Sequence, residues 1–178
     1  MTRTQRSDPL LMAGKLITYI GQGLMAVAAF GIVVGMPAVF FFQERIQDEW
    51  LAESSTSGAF PILAVISVMI LGFGAVALVF LFLKKLRDII NTVGEGDPFV
   101  PENAERLTAM AWMMLAIQAL VIPISGLALY IAKTIETQEG TIDAGFSLNG
   151  MVMVIILFIL ARVFRKGSEM REDLEGTV

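Results

Sequence analysis

The side chains that can do chemistry in this sequence are few and lie in two settings. Gln22, Ser67, Gln118 and Ser125 interrupt long apolar runs, and a polar segment at residues 95–107, EGDPFVPENAERL, joins two of those runs. Amides and hydroxyls inside apolar helices serve by default as interhelical hydrogen bonds, worth ~0.6 kcal/mol each on average. Gathered around a water-accessible cavity, Gln22, Gln118 and Ser125 would instead line a solute path. In the polar segment, Asn103 stands in the first turn of a helix, where its amide bonds exposed backbone of the loop or of the C-terminal tail. Phe99 either plugs the hairpin between the flanking helices or serves as an anchor for a partner.

Much other chemistry is removed by composition. The chain has no cysteine and no histidine, which excludes disulfides, thiolate chemistry and most zinc, copper and haem ligation. No Asp or Glu falls inside the apolar runs, so the acid of an ion-coupled carrier or proton relay is missing. The GFG at residues 72–74 follows no strand and sits in the middle of an apolar run, where it serves packing rather than a nucleotide. The sequence therefore assigns no catalytic, cofactor-binding or metal-ligating residue, and it reads as a non-enzyme without a cofactor.

The elements that must position these side chains are membrane helices. Hydrophobic residues make up 56% of the 178, charged ones only 17%, and mean hydropathy is +0.72, outside the balance of a soluble domain. Four stretches free of Asp, Glu, Lys and Arg, at about 17–42, 59–83, 107–132 and 144–161, approach or exceed the roughly 20 residues that cross a hydrocarbon core. They are apolar on every face, which excludes the alternating strands of a barrel. The first, at 26 residues, outruns a signal peptide's apolar core of about 7–15 and reads as a retained span. The expected fold is all-α: one membrane domain over 1–178, a four-helix bundle whose helices extend into a cytoplasmic cap.

Orientation follows from the cations. All but Arg45 and Lys133 of the 13 Lys and Arg residues fall before the first span, between the second and third, or after the fourth. Both termini and the 95–107 segment are thus expected in the cytoplasm, and the protein in a bacterial inner membrane.

The cap is expected from helical periods that outrun the spans, at about 9–16, 84–106 and 162–174. In the second helix Leu83, Leu86, Ile90 and Val93 keep one face up to Gly94, the expected helix end. Pro101 opens the third, with Glu102 and Glu105 near its positive end and Ala104, Leu107, Ala111 and Met114 on one side. The fourth carries a stripe of Val163, Gly167, Met170 and Leu174. The first starts at Asp8 and Pro9 with a stripe of Leu10, Ala13, Ile17 and Ile20. These ends either pack together as a cap or lie flat in the interface with their cations reaching lipid phosphates. Elsewhere, Gly31 and Gly35 with Ala28 and Ala38 form a small-residue face for close packing, within the bundle or between two copies of the chain. Pro123 is expected to bend the third helix.

DPFVPENAERL together with the ending GSEMREDLEGTV resembles a bacterial membrane-protein family catalogued as domain-of-unknown-function family 2975. Pro98, Phe99, Asn103 and Leu107 fit its pattern between spans two and three. Gly167, Met170, Glu172, Asp173, Thr177 and Val178 fit its acidic tail, with Gly176 where the pattern has Leu. The resemblance implies four spans and assigns no catalytic residue. It also implies a membrane partner for small helix-turn-helix regulators, since such regulators neighbour some relatives. Two functions follow as expectations. One is a regulatory or interaction protein whose acidic cap, with Glu95, Asp97, Glu102, Glu105, Glu169, Glu172, Asp173 and Glu175, meets a basic protein and not nucleic acid. The other is a small transporter, channel or accessory subunit. Membrane lipid surrounds the spans in either case.

Overall fold

The computed structural model describes residues 9–53, 60–134 and 147–175. They form α1 (Pro9–Phe41), α2 (Gln43–Glu53), α3 (Ile62–Gly94), α4 (Pro101–Thr134) and α5 (Leu148–Glu175), with no strand among the described residues. Four of these helices, all but α2, are long and apolar enough to cross a membrane, as expected of a multi-pass membrane protein. At ~1.5 Å per residue, the 33 residues of α3 reach roughly 50 Å against a core of ~30 Å, so about a dozen residues project beyond it. Pro101 opens α4, and α4 runs as one helix through Pro123 while α1 does the same through Pro37.

The long helices pack in chain order: α1 on α3, α3 on α4, α4 on α5. The α3 helix therefore presents two packed faces. Toward α1, Leu83 reaches over Gly21 and Ile90 over Gly14, while Met69 reaches Gly35 deeper in the span. Toward α4 and α5, Ile89 joins Leu107, Met110, Ala111, Leu157 and Ala161 in a buried cluster that Leu86, Val93 and Met114 flank. The projecting ends thus pack on one another, as the expected cap requires. Gly35 of the small-residue pair is used inside the chain, and Gly31 has nothing within 4 Å among the described residues.

Two expected stripes do not do the packing. On α1, Leu10 (80% exposed) and Ile17 (67%) face outward with Ala13 and Ile20, and the face toward α3 is Leu11, Gly14, Thr18, Gly21 and Gln22. On α5, Val163, Met170 and Leu174 are exposed, and the packed line is Leu157, Ala161, Phe164 and Ser168, with Gly167 beside it. For Ile17 and Ile20, within the first span, the physical reason is that a helix in lipid gains nothing by hiding aliphatic side chains from hydrocarbon. Small and polar residues turn inward instead, where backbones approach closely and hydrogen bonds close. The outward turn of Leu10, Val163, Met170 and Leu174, beyond the spans, has no such explanation.

The α2 helix was not legible as a helix in the sequence. It continues from α1 through a single turn residue, with the Phe42 amide bonded to the Ala38 carbonyl (3.0 Å) and the Ile46 amide to that of Phe42 (2.9 Å). It then meets the approach to α3: Gln47 Oε1 accepts from the Phe60 amide (2.9 Å) and the Trp50 ring sits edge-on to Phe60, 5.7 Å away.

Because the chain has no cysteine, the packing order can be tested by cross-linking. Gly14→Cys with Ile90→Cys should be joined within one chain by a short bifunctional thiol reagent, and Gly14→Cys with Val163→Cys should not. The reverse pattern would mean that α1 closes on α5 instead.

Candidate functional site at the loop end of the bundle

The α3–α4 connection is built from a helix stop, a helix start and a knot between them. Gly96 adopts the left-handed backbone (φ 89°) in which a side chain is strained, and it ends α3 in a Schellman arrangement. The Gly96 amide donates to the Val93 carbonyl and that of Asp97 to the Thr92 carbonyl, both at 3.1 Å. The α3 helix ends at Gly94 as expected, and the left-handed residue that completes the stop is Gly96, two residues on. Gly94 instead lies against α1, where a Cβ would stand 3.8 Å from Leu11 and 4.0 Å from Lys15 Nζ.

Asn103 ties the two helices together. Its side chain is fully buried and bonded at both ends. Nδ2 donates to Thr92 Oγ1 on α3 (2.8 Å) and to the Pro98 carbonyl in the loop (3.0 Å), and Oδ1 accepts from Arg106 Nη1 (2.8 Å). Thr92 in turn donates to the Ile89 carbonyl (2.9 Å), and Arg106 reaches toward the Asp88 carbonyl (3.4 Å). Of its expected partners Asn103 takes the loop backbone, and among the described residues its side chain is bonded within the hairpin and not to the tail. Leu107, one turn on, is in the buried cluster.

Phe99 does not plug the space between α3 and α4. It is 41% exposed and lies across α5, its ring 5.4 Å from that of Phe164 and directly over Gly167. A Cβ on Gly167 would meet Phe99 Cδ1 at 2.6 Å, so the glycine is the seat of the ring. One turn further, Arg171 pairs with Asp97 of the loop. The end of α5 is thereby joined to the hairpin tip by a ring contact and an ion pair. The exposed acids Glu95, Glu102, Glu105, Glu169, Glu172 and Asp173 lie on these segments; Glu169 pairs with Lys166 (3.2 Å). Met170 is exposed. Thr177 and Val178, with Gly176, lie outside the described residues.

The intramembrane polar residues are not brought together. Gln22 is buried between α1 and α3, where its Oε1 accepts from Arg87 Nη1 (2.8 Å), and the same guanidinium stacks 4.9 Å over the Tyr19 ring. Gln118 is buried on α4, its amide lying where a Cβ of Gly150 on α5 would stand. Ser125 is buried on α4, two turns from Gln118, and Ser67 bonds its own helix at the Leu63 carbonyl (2.7 Å).

Sequence reasoning missed Thr92, Arg106 and Arg171. A signal for the first two was present: Thr92 and Asn103, like Asp88 and Arg106, stand at nearly equal distances from Asp97 and Pro98, which makes them opposite one another in a helical hairpin. Nothing comparable in the sequence pairs Arg171 with Asp97.

Residues 50–178 match the family described as "Protein of unknown function (DUF2975)", most of the chain, so the chain belongs to that family. No curated protein and no solved structure matches it.

Removing the knot should loosen the tip without affecting insertion. Asn103→Ala leaves Thr92, Pro98 and Arg106 without their partner and should cost about 2–3 kcal/mol. Asn103→Asp, which sets a carboxylate oxygen against the Pro98 carbonyl, should be no better. Thermal unfolding in detergent and the rate of proteolysis at residues 95–100 are the measurements. Wild-type values for both variants would show that the knot holds nothing.

Proposed function

We propose that this member of the DUF2975 family is a non-enzymatic protein of the bacterial inner membrane that acts as the membrane partner of a basic cytoplasmic protein. The concentration of Lys and Arg at the end bearing the α3–α4 loop supports a cytoplasmic position for that end and for both termini. The observation that carries the reading is the knot at Asn103, a buried side chain with every hydrogen-bonding atom engaged, spent on fixing a loop. A joint between two helices needs only a turn. A fixed one, braced on α5 through Phe99 and Asp97, presents Glu95, Glu102, Glu105 and Glu172 as a preorganised acidic surface, which lowers the ordering cost of binding.

Such a surface repels nucleic acid and suits a cationic protein, and a small helix-turn-helix regulator has that chemistry. The separation of Gln22 from Gln118, one engaged by Arg87 and the other packed on Gly150, favours this reading over a transporter with a shared polar path.

The test is co-purification from native membranes. Wild-type protein should retain a basic protein that is released by salt and lost from the triple variant Glu95→Gln, Glu102→Gln, Glu105→Gln. A co-purifying set unchanged by the triple variant, or made of other membrane subunits bound independently of the tip, would overturn the proposal.

A further inference from the structure

A second surface at the same end has the opposite charge. Between α4 and α5 lies an open cavity of about 530 Å³, with Arg162, Arg165 and Lys166 on its α5 wall and Thr108 on its α4 wall. Glu169, the one carboxylate lining it, is already paired with Lys166. Among the described residues the guanidinium groups of Arg162 and Arg165 have no hydrogen bond or ion pair, so the cavity holds more positive charge than its own acid balances. Cations left uncompensated in a concave site are set to receive an anion. The Thr108 hydroxyl donates to the Ala104 carbonyl of its own helix (2.8 Å), so the two guanidinium forks are what match the several oxygens of a phosphate.

The floor of the cavity fixes what kind of phosphate. Going toward the apolar part of the helices, the lining becomes Ala161 and Phe158, one turn from Arg162. Trp112, one turn beyond Thr108 on α4, packs edge-on against Phe158 with ring centres 5.6 Å apart, and it is 60% exposed. A cationic rim that gives way within one turn to an aromatic and apolar wall has the sequence of polarities of a phospholipid, from phosphate through glycerol to acyl chain. Arg162 follows directly on the last uncharged stretch of α5, so the rim stands at the depth of lipid phosphates. A soluble phosphate would use the rim and leave the aromatic wall without a purpose.

We propose that the α4–α5 cavity is a binding site for the phosphate headgroup of an anionic phospholipid, held by Arg162, Arg165 and Lys166 with its first acyl carbons against Phe158 and Trp112. Basic pockets between membrane helices recognise anionic lipids in this way. The site is separate from the acidic tip, and lipid bound there would offset the cationic charge of the α5 wall beside it.

Trp112 provides the readout, because the only other tryptophan is Trp50, which packs at Phe60 toward the opposite end of the bundle. In a Trp50→Phe background, the protein is reconstituted in phosphatidylcholine vesicles with a minor fraction of phosphatidylglycerol, and bromine is carried on the acyl chains of one lipid or the other. Brominated phosphatidylglycerol should quench Trp112 far beyond its share of the bilayer. The variant Arg162→Gln with Arg165→Gln should weaken that preference about tenfold or more, as loss of charge-assisted bonds implies. Lys84→Gln, an exposed cation on α3 outside the cavity, should leave it unchanged. Near-wild-type thermal unfolding of the double variant excludes misfolding as the cause; if that variant unfolds, Arg162→Lys with Arg165→Lys, which keeps the charge and removes the forks, should show an intermediate preference. Equal quenching by both lipids in the wild type would overturn the proposal. So would abolition of the preference by millimolar inorganic phosphate, which would identify a soluble anion as the occupant.

Discussion

The projecting part of this protein depends on one constraint: the amide of Asn103 is buried completely and must therefore be satisfied completely. Only one arrangement of the hairpin does this. Thr92 must stand opposite on α3, Pro98 must turn its carbonyl inward, and Arg106 must fold back one turn. Those requirements set the register of α3 against α4, and the register brings Ile89 to Leu107 and Ala111 in the buried cluster below. Slipping the helices by a turn would take Thr92 away from the buried amide of Asn103, whereas the bonds from the Thr92 hydroxyl to the Ile89 carbonyl and from Arg106 to Asn103 Oδ1 lie within one helix each and would persist. Gly96 makes the geometry available by accepting a positive φ, and Gly167 extends it to α5 by leaving room for Phe99.

Below the hairpin, lipid reverses the burial pattern of a soluble bundle. Within the first span the α1 helix turns Ile17 and Ile20 outward and sets Thr18, Gly21 and Gln22 against α3. What holds that contact is close approach at the glycines together with the bond from Arg87 to Gln22 and its stacking on Tyr19. Apolar surface supplies little of the association, since hydrocarbon lies on both sides of the exchange.

This reversal explains what the sequence revealed and what it hid. Spans, helix extensions and the start at Pro101 were legible, because length, charge-free runs and proline act locally. Leu107 and Ala111 were legible as core, since that part of α4 follows the soluble rule. The faces of α1 and α5 were not, because the same periodicity marks the lipid side in one setting and the packed side in another. Asn103 stood out by residue type, whereas its partners are found only by folding the sequence about Asp97 and Pro98. The docking of Phe99 on Gly167 required knowing that α5 lies beside the tip, which no local pattern encodes.

The loop end thus carries two surfaces of opposite sign on one frame: acids around the tip, and cations in the α4–α5 cavity one to two turns nearer the bilayer. Both require the frame to be rigid; the acidic tip must also stand clear of the lipid, while the cavity meets it at the depth of the phosphates. Hydrogen–deuterium exchange of residues 84–106 and 162–175, measured in nanodiscs, addresses that requirement most directly. The account predicts slow exchange through the end of α3 and the start of α4, including the bonded amides of Gly96 and Asp97, at rates that do not change with lipid composition. Rapid exchange of these amides, or protection that appears and disappears with the lipid headgroup, would contradict it and mean that the helix ends lie in the interface.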